Sequence, residues 1–469
     1  MSAVNKHRLK QSTATRLGYQ KAYGEPISRR TMIKRTLFAA LWVTVGRLAC
    51  VLHPTAVPMA HSSPLSTPKA KSVIQLWLWG GPSHLDTFDP KPEAGHDYCG
   101  PFTHPIETNV PGIRICELLV ELAKQADKYS IIRSMTHGIN AHETATYLML
   151  TGRPPGGRVV YPCVGAVVSL FKGYDAGYQG LLPPYIVITE PLGRFSESGF
   201  LGPRYKPFAT GGDPSKTPFT VEGVVLPNVP EQRQISRRQL LSRLDTLSAA
   251  LGNNDLLADY RSAEKEAYDM ILGTGAKAFD LSEEPPALRD RYGRTTFGQA
   301  CLVARRLVER GVSYVTINYK GWDTHKNHFQ AMRKLLPEMD KGMATLLQDL
   351  ADRGLIETTI VWWGGEFGRT PRILWEAPWN GGRNHYGKVF SVVVAGGGFK
   401  GGRVVGASDS RGEEVKERPV YPIDLIATIY ELLGIDGNAP LPNPYGLDLR
   451  VLPKPEENVK SAGKLVELL

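Results

Sequence analysis

The sequence predicts an α/β fold, a mostly parallel sheet sandwiched by helices. Two features carry that expectation. Five short runs are largely apolar, as in strands buried on both faces, and segments of helical periodicity lie between them. A third feature concerns chemistry: histidines and carboxylates fall just past the ends of several runs, at the edge where open α/β sheets bind ligands.

The first strand is Ser72 to Trp79, rich in β-branched and aromatic residues and stopped by Gly80-Gly81. Pro184 to Thr189, Val312 to Asn318, Thr358 to Trp363 and Phe390 to Ala395 read the same way. Leu335, Leu336, Met339, Met343, Leu346, Leu347 and Leu350 recur at helical spacing, and Gly354 supplies the stop, so Val312 to Trp363 forms a βαβ unit. A later amphipathic helix carries Ile423, Leu425, Ile426, Ile429, Leu432 and Leu433, begun by Pro422 and closed by Gly434. Between about Glu231 and Ala276 the chain is rich in Leu, Ala, Arg, Asp and Glu with few strand signals, which predicts a helical insertion without chemistry of its own. No repeat occurs at solenoid periods.

With 469 residues, 42% hydrophobic and 22% charged, the chain has the composition of a globular protein with one large domain or two ordinary ones. The formal charge is +10, but residues 1–60 hold ten Lys and Arg against one acid, Glu25. The remainder is nearly neutral and offers no broad phosphate-binding surface, so nucleic acid is not an expected partner. The basic head reads as an address. Ser28-Arg29-Arg30-Thr31-Met32-Ile33-Lys34 resembles a twin-arginine export motif, followed by the apolar Leu37 to Gly46, small residues at Ala56 and Ala60, and a Pro/Ser-rich linker from Ser62 to Pro68. The apolar run falls short of the ~20 residues of a spanning helix, and Arg47 ends it.

The expected organisation is an export signal and linker over 1–70, one domain over 71–453 with the insertion at about 231–276, and a C-terminal tail over 454–469. The twin-arginine export machinery is then a partner, the location periplasmic or extracellular, and no transmembrane segment is expected after processing. Cys99, Cys116, Cys163 and Cys301 are scattered with no Cys-x-x-Cys pair, which argues against a cysteine zinc site. Pairing of Cys99 with Cys116 in an oxidising compartment stands beside the default of four buried thiols.

Four segments hold the candidate chemistry. Ser83, His84, Asp86 and Asp89 follow the first strand, where Asp86 is either a metal ligand or a turn residue before Pro90. His137 and His142 lie on a loop entering a helix. Asp323-x-His325-x-x-His328 places an acid and a histidine at a strand end with His328 on the first turn of the next helix, the strongest local metal pattern. Capping explains one acid there but not two histidines. Glu366 and Arg369 follow the next strand, and Asn384-His385 precedes Phe390. Glu366 suits a hard cation, and the Arg369 guanidinium suits a tetrahedral oxyanion.

Leu78-Trp79-Gly80-Gly81-Pro82-Ser83-His84-Leu85-Asp86, Gly321-Trp322-Asp323-Thr324-His325, Gly365-Glu366-Phe367-Gly368-Arg369-Thr370-Pro371 and Ala395-Gly396-Gly397-Gly398-Phe399-Lys400-Gly401-Gly402 together resemble the domain of unknown function 1501 family. These are exported bacterial proteins related to the alkaline phosphatase and sulfatase fold, and the resemblance runs from about 70 to 452. Leu150-Thr151-Gly152-Arg153 is similar to the sulfatase segment after the catalytic cysteine, but His142 stands where that cysteine would be. Gly365-Glu366-Phe367-Gly368 stands where the superfamily often has Ser-Asp-His-Gly.

The resemblance implies a hydrolase of phosphate or sulfate esters, on small molecules or polysaccharides. Asp86, His142, Asp323, His325, Glu366 and His385 would hold one or two divalent ions (Zn, Mn or Ca). A bound water, or else Ser83 or Thr144, would be the activated group, and a second ion or Arg369 the stabiliser of the oxyanion. The alternative is an inactive exported binding protein on the same scaffold, with Trp322, Trp375 and Trp379 stacking on sugars.

Overall fold

Ser72–Leu78 (β1) is buried along its whole length because both of its faces are covered. Ile74, Leu76 and Leu78 point into one hydrophobic core, and Val73 and Trp77 into another. In the computed structural model, residues 68–193, 197–225, 229–244, 265 and 267–469 are described. The twin-arginine motif and the apolar run behind it lie outside the described residues.

The main sheet has eight strands: β1, Tyr129–Met135 (β2), Tyr185–Ile188 (β3), Phe208–Ala209 (β4), Tyr314–Tyr319 (β5), Thr359–Gly364 (β6), Phe390–Ala395 (β7) and Val404–Val405 (β8). Their order across the sheet is β8-β2-β7-β6-β1-β5-β3-β4. All neighbours are parallel except β7, which runs against both β2 and β6. Leu76 lies level with Ile317 of β5 and Trp363 of β6, fixing the register at the centre. The expected unit from Val312 to Trp363 is thus a parallel pair of strands with β1 between them.

The helices are His142–Thr151 (α1), Val164–Lys172 (α2), Glu231–Leu244 (α3), Thr296–Glu309 (α4), His328–Asp352 (α5) and Pro422–Leu433 (α6), with shorter turns between. α4 and α5 cover one face, where Cys301, Leu302, Leu346 and Leu347 meet Ile317 and Trp363. α2 and α6 cover the other, where Val164, Val168, Leu425 and Ile429 meet Trp77 and Trp362. α6 ends at Gly434 in the left-handed region with φ 67°, as its sequence predicts. Of the expected insertion, α3 and residues 267–272 are helical, and residues 245–264 lie outside the described residues.

The chain after 453 is built into the domain. Leu465 and Leu468 are fully buried in the α6 core, and the Leu465 amide donates to Thr428 Oγ1 at 2.9 Å. Cys99, Cys116, Cys163 and Cys301 are all buried and none forms a disulfide, so Cys99 and Cys116 do not pair. Trp322, expected at a sugar-binding surface, is fully buried against Tyr319. No helix among the described residues is long and apolar enough to cross a membrane.

Candidate metal centre

Parallel strands deliver their carboxyl ends to one edge, and the reversed β7 brings the segment before it to the same edge. Gly80 and Gly81, at φ 112° and 83°, turn the chain sharply after β1. A Cβ at Gly80 would stand 2.3 Å from the Asp323 backbone nitrogen, so only glycine permits this approach to the β5 loop. The Gly80 N–H donates to Glu366 Oε1 at 2.9 Å, joining the loops after β1 and β6. His142 is the first residue of α1, on the loop after β2. His385 lies on a two-residue ribbon, His385–Tyr386, paired with Gly368–Arg369 and opposite Arg369 itself.

These loops converge on Asp323. Its Oδ1 is 3.0 Å from His385 Nε2 and 3.0 Å from His325 Nε2, and its Oδ2 is 3.4 Å from His142 Nε2. The two Nε2 atoms of His325 and His385 are 2.9 Å apart. Ligand atoms of His142, Asp323 and His385 all lie within 4.8 Å of one another, and His325 adjoins them through His385 and Asp323.

The far side of each ring decides what the near side can be. His142 Nδ1 meets Glu366 Oε1 at 2.6 Å, His385 Nδ1 meets the Asn140 carbonyl at 2.8 Å, and His325 Nδ1 meets Asn384 Oδ1 at 2.9 Å. All three partners are acceptors, so each Nδ1 carries the proton and each neutral Nε2 presents a lone pair. With the rings neutral, three lone pairs therefore face a carboxylate, an arrangement that a metal cation or protonation of a ring relieves. Outer acceptors fixing the tautomer of inner imidazoles are the usual support of a metal site. The separations of 2.9, 3.0 and 3.4 Å are close to the edge of about 3.3 Å implied by tetrahedral Zn–N bonds of 2.0–2.1 Å.

Burial would raise the Asp323 carboxyl, but the hydrogen bond and charge of Arg369 hold it well below the usual carboxylate range. Burial lowers His142, and the bond and charge of Glu366, with Asp323, more than offset this and raise it. Burial dominates at His385 and lowers it despite Asp323. Trp79 stacks on His142 at 4.8 Å and Phe367 on His385 at 4.6 Å, so the rings have fixed planes. The Asp323 side chain is 32% exposed and that of Glu366 fully buried, which leaves the cluster open to solvent on one side only.

The fold thus brings together His142, Asp323, His325, Glu366 and His385. It draws Asp86 elsewhere: that carboxylate is fully buried, with Oδ2 2.9 Å from His328 Nε2 and 2.8 Å from Arg383 Nε. Burial raises it, yet Arg383 and His328 hold it far below its ordinary value. Ser83 is 1% exposed, its Oγ accepting the Asp86 N–H, so it forms the turn and is not presented to a substrate. Thr144 is half-buried on the first turn of α1, two positions beyond His142.

Arg369 also departs from expectation. It is fully buried and donates to the carbonyls of Gly80, Gly81 and Arg383 and to Asp323 Oδ1 at 2.6 Å. Its donors are committed inside the protein, so it positions Asp323 and does not clamp an oxyanion. Two contributors are backbone groups with no side-chain signature in the sequence, the Asn140 carbonyl and the Gly80 amide, and a third, the Trp79 ring, reads there only as the end of a strand. The Gly80-Gly81 pair was the one available sign of a close backbone approach.

The family model described as "Protein of unknown function (DUF1501)" matches residues 70–462. No curated protein matches the sequence. Among solved structures, the chain is similar to Ps i-CgsB in complex with k-i-k-neocarrahexaose at 11% identity, covering 85% of this chain and 75% of that one with a TM-score of 0.38. A protein in the alkaline phosphatase superfamily from Vibrio parahaemolyticus gives 12% identity, 82% and 71% coverage and a TM-score of 0.37. The C-terminal periplasmic domain of EcEptC from Escherichia coli, in complex with Zn, gives 9%, 85%, 93% and 0.36. Likenesses this distant carry no argument about the site, whose reading rests on its own geometry.

Proposed function

This chain belongs to the DUF1501 family, whose description assigns no activity, and from the site's own chemistry we propose that it is an exported metal-dependent hydrolase of phosphate or sulfate esters. One observation carries the reading: three imidazole Nε2 lone pairs and the Asp323 carboxylate converge while every Nδ1 is bound to an acceptor. His142, Asp323, His325 and His385 would hold the ion, with Glu366 behind His142. An imidazole-rich donor set favours Zn over Mn or Ca, which prefer oxygen ligands.

A divalent ion held there would supply a Lewis acid and lower the pKa of a water toward neutrality. The chain's own residues do the rest. Glu366 holds the His142 Nδ1 proton and so keeps Nε2 directed at the site. Asn384 and the Asn140 carbonyl do the same for His325 and His385. Arg369 fixes the Asp323 carboxylate in one orientation. The buried inner wall keeps bulk water to the exposed side, where an ester of a small molecule or a polysaccharide would enter. Ser83 is shut away, so the attacking group is a water or Thr144. The basic head, read as a twin-arginine signal, places the reaction in the periplasm or outside the cell.

The commitment of Arg369 and the burial of Ser83 favour a second reading, an exported binding protein that keeps the scaffold without turnover. The two separate in one experiment: metal content by inductively coupled plasma mass spectrometry on protein exported from its native host, beside the double variant Asp323→Ala/His325→Ala, with aryl phosphate and aryl sulfate hydrolysis assayed on both. About one or two equivalents of Zn or Mn, lost with hydrolysis in the variant, is the expected result. Metal without turnover on any ester selects the binding reading. Folded wild-type protein without metal refutes the hydrolase.

A further inference from the structure

Behind the cluster lies a set of buried polar groups that the hydrolytic reading leaves without a role. Thr324 stands between Asp323 and His325, and its Oγ1 is 2.6 Å from His328 Nδ1. His328 Nε2 is 2.9 Å from Asp86 Oδ2. Arg383 meets the same carboxylate, Nε at 2.8 Å from Oδ2 and Nη2 at 3.1 Å from Oδ1. The Arg383 backbone N–H donates to the Thr324 carbonyl at 3.4 Å. The four residues close a ring, and the most exposed of them, Thr324, is only 6% accessible.

The protons in this ring are determined. A carboxylate only accepts, so His328 Nε2 donates to Asp86, and His328 Nδ1 accepts the Thr324 hydroxyl. Two members adjoin ligands directly. Thr324 separates Asp323 from His325, and Arg383 immediately precedes Asn384-His385, whose Asn384 holds His325. The ring therefore ties the β5 loop to the ribbon that carries His385, across a contact of 2.9 Å between His325 and His385. Stability alone is a poor explanation for it. Removing a carboxylate and a guanidinium from water costs several kcal/mol per ion, and a well-packed apolar set would stabilise the fold as well or better. What a closed polar ring supplies and an apolar cluster does not is a single permitted geometry.

We propose that Asp86, His328, Thr324 and Arg383 form a positioning ring that fixes the separation of His325 and His385 and thereby sets the affinity of the centre for its cation. This rests on the metal reading of the cluster. The test titrates metal-free protein with Zn²⁺ against a chromophoric chelator and records the visible spectrum of the Co²⁺ form. Thr324→Val removes the hydroxyl at constant volume and is expected to weaken Zn²⁺ binding roughly 10–100-fold and alter the Co²⁺ bands, while Thr324→Ser stays within about threefold of wild type. His328→Gln, whose amide still donates toward Asp86 but leaves Thr324 without its acceptor, is expected to behave like Thr324→Val and serves if that variant does not fold. Wild-type affinity and spectrum in Thr324→Val, or an equal loss in Thr324→Ser, overturns the proposal. Wild-type protein that binds neither ion refutes the metal centre itself, a result distinct from either.

Discussion

Within the loop that joins β2 to α1, His137 and His142 lie in opposite electrostatic settings. His142 sits between two carboxylates and is raised, whereas His137 is pulled down to about 4 by burial, its bond to the Glu366 carbonyl countering only part of this. Burial lowers His84 and His328 as well. A histidine depressed in the folded state takes up its proton first in the unfolded chain, so the stability it favours is complete above about 6.5 and declines as pH falls toward about 4. Melting temperature should therefore drop across that interval. His137→Gln, less stable at neutral pH, should lose less over it; parallel curves for the two proteins would refute the assignment. The sequence pattern marked His142, Asp323, His325, Glu366 and His385, which follow strands or, for His385, precede the reversed β7. Asp86 had the same local signature. Its capture by Arg383 spans 297 positions, a contact that no local pattern reports.

At the scale of elements, strands buried on both faces announced themselves as short, largely apolar runs rich in β-branched and aromatic residues. β1, β3, β5, β6 and β7 were legible for that reason. β2 was not, since Ser130, Arg133 and Ser134 break its run, and β4 and β8 are two residues each. The reversed direction of β7 left no trace either, because an apolar run reads alike both ways. The junctions matter as much as the strands. Gly80→Ala would combine a φ of 112° with a Cβ 2.3 Å from the Asp323 nitrogen, a clash with backbone that no rotamer relieves. The expected cost is about 1–3 kcal/mol of stability together with loss of metal binding, readable as a lower melting temperature and an empty Zn²⁺ titration. A variant as stable as wild type with intact binding would show that the β1 and β5 loops are not held this closely.

For the molecule as a whole, two cores flank one sheet; Cys116 and Cys301 lie in one, Cys163 in the other, and Cys99 is buried outside both. Burial pushes the thiols of Cys99, Cys116, Cys163 and Cys301 up, so little thiolate forms at neutral pH. They should react with a thiol reagent only after denaturant is added, and reductant should leave the melting temperature unchanged. A melting temperature that falls on reduction would reveal a disulfide and contradict this packing. Export into an oxidising compartment is then compatible with a protein that does not rely on cross-links for its stability.

The docked C-terminus bears on how the protein is made. Leu465 and Leu468, far later in the chain than His142, are fully buried beside α6, and β7, which joins β2 to β6, begins only at Phe390. A ribosome releases His142 long before the later strands that will hold it in place exist, and the sheet cannot close until Phe390–Ala395 has emerged. The centre therefore cannot be assembled piecemeal on the nascent chain. On the metal reading, whichever ion fills it is selected where the finished polypeptide completes its folding.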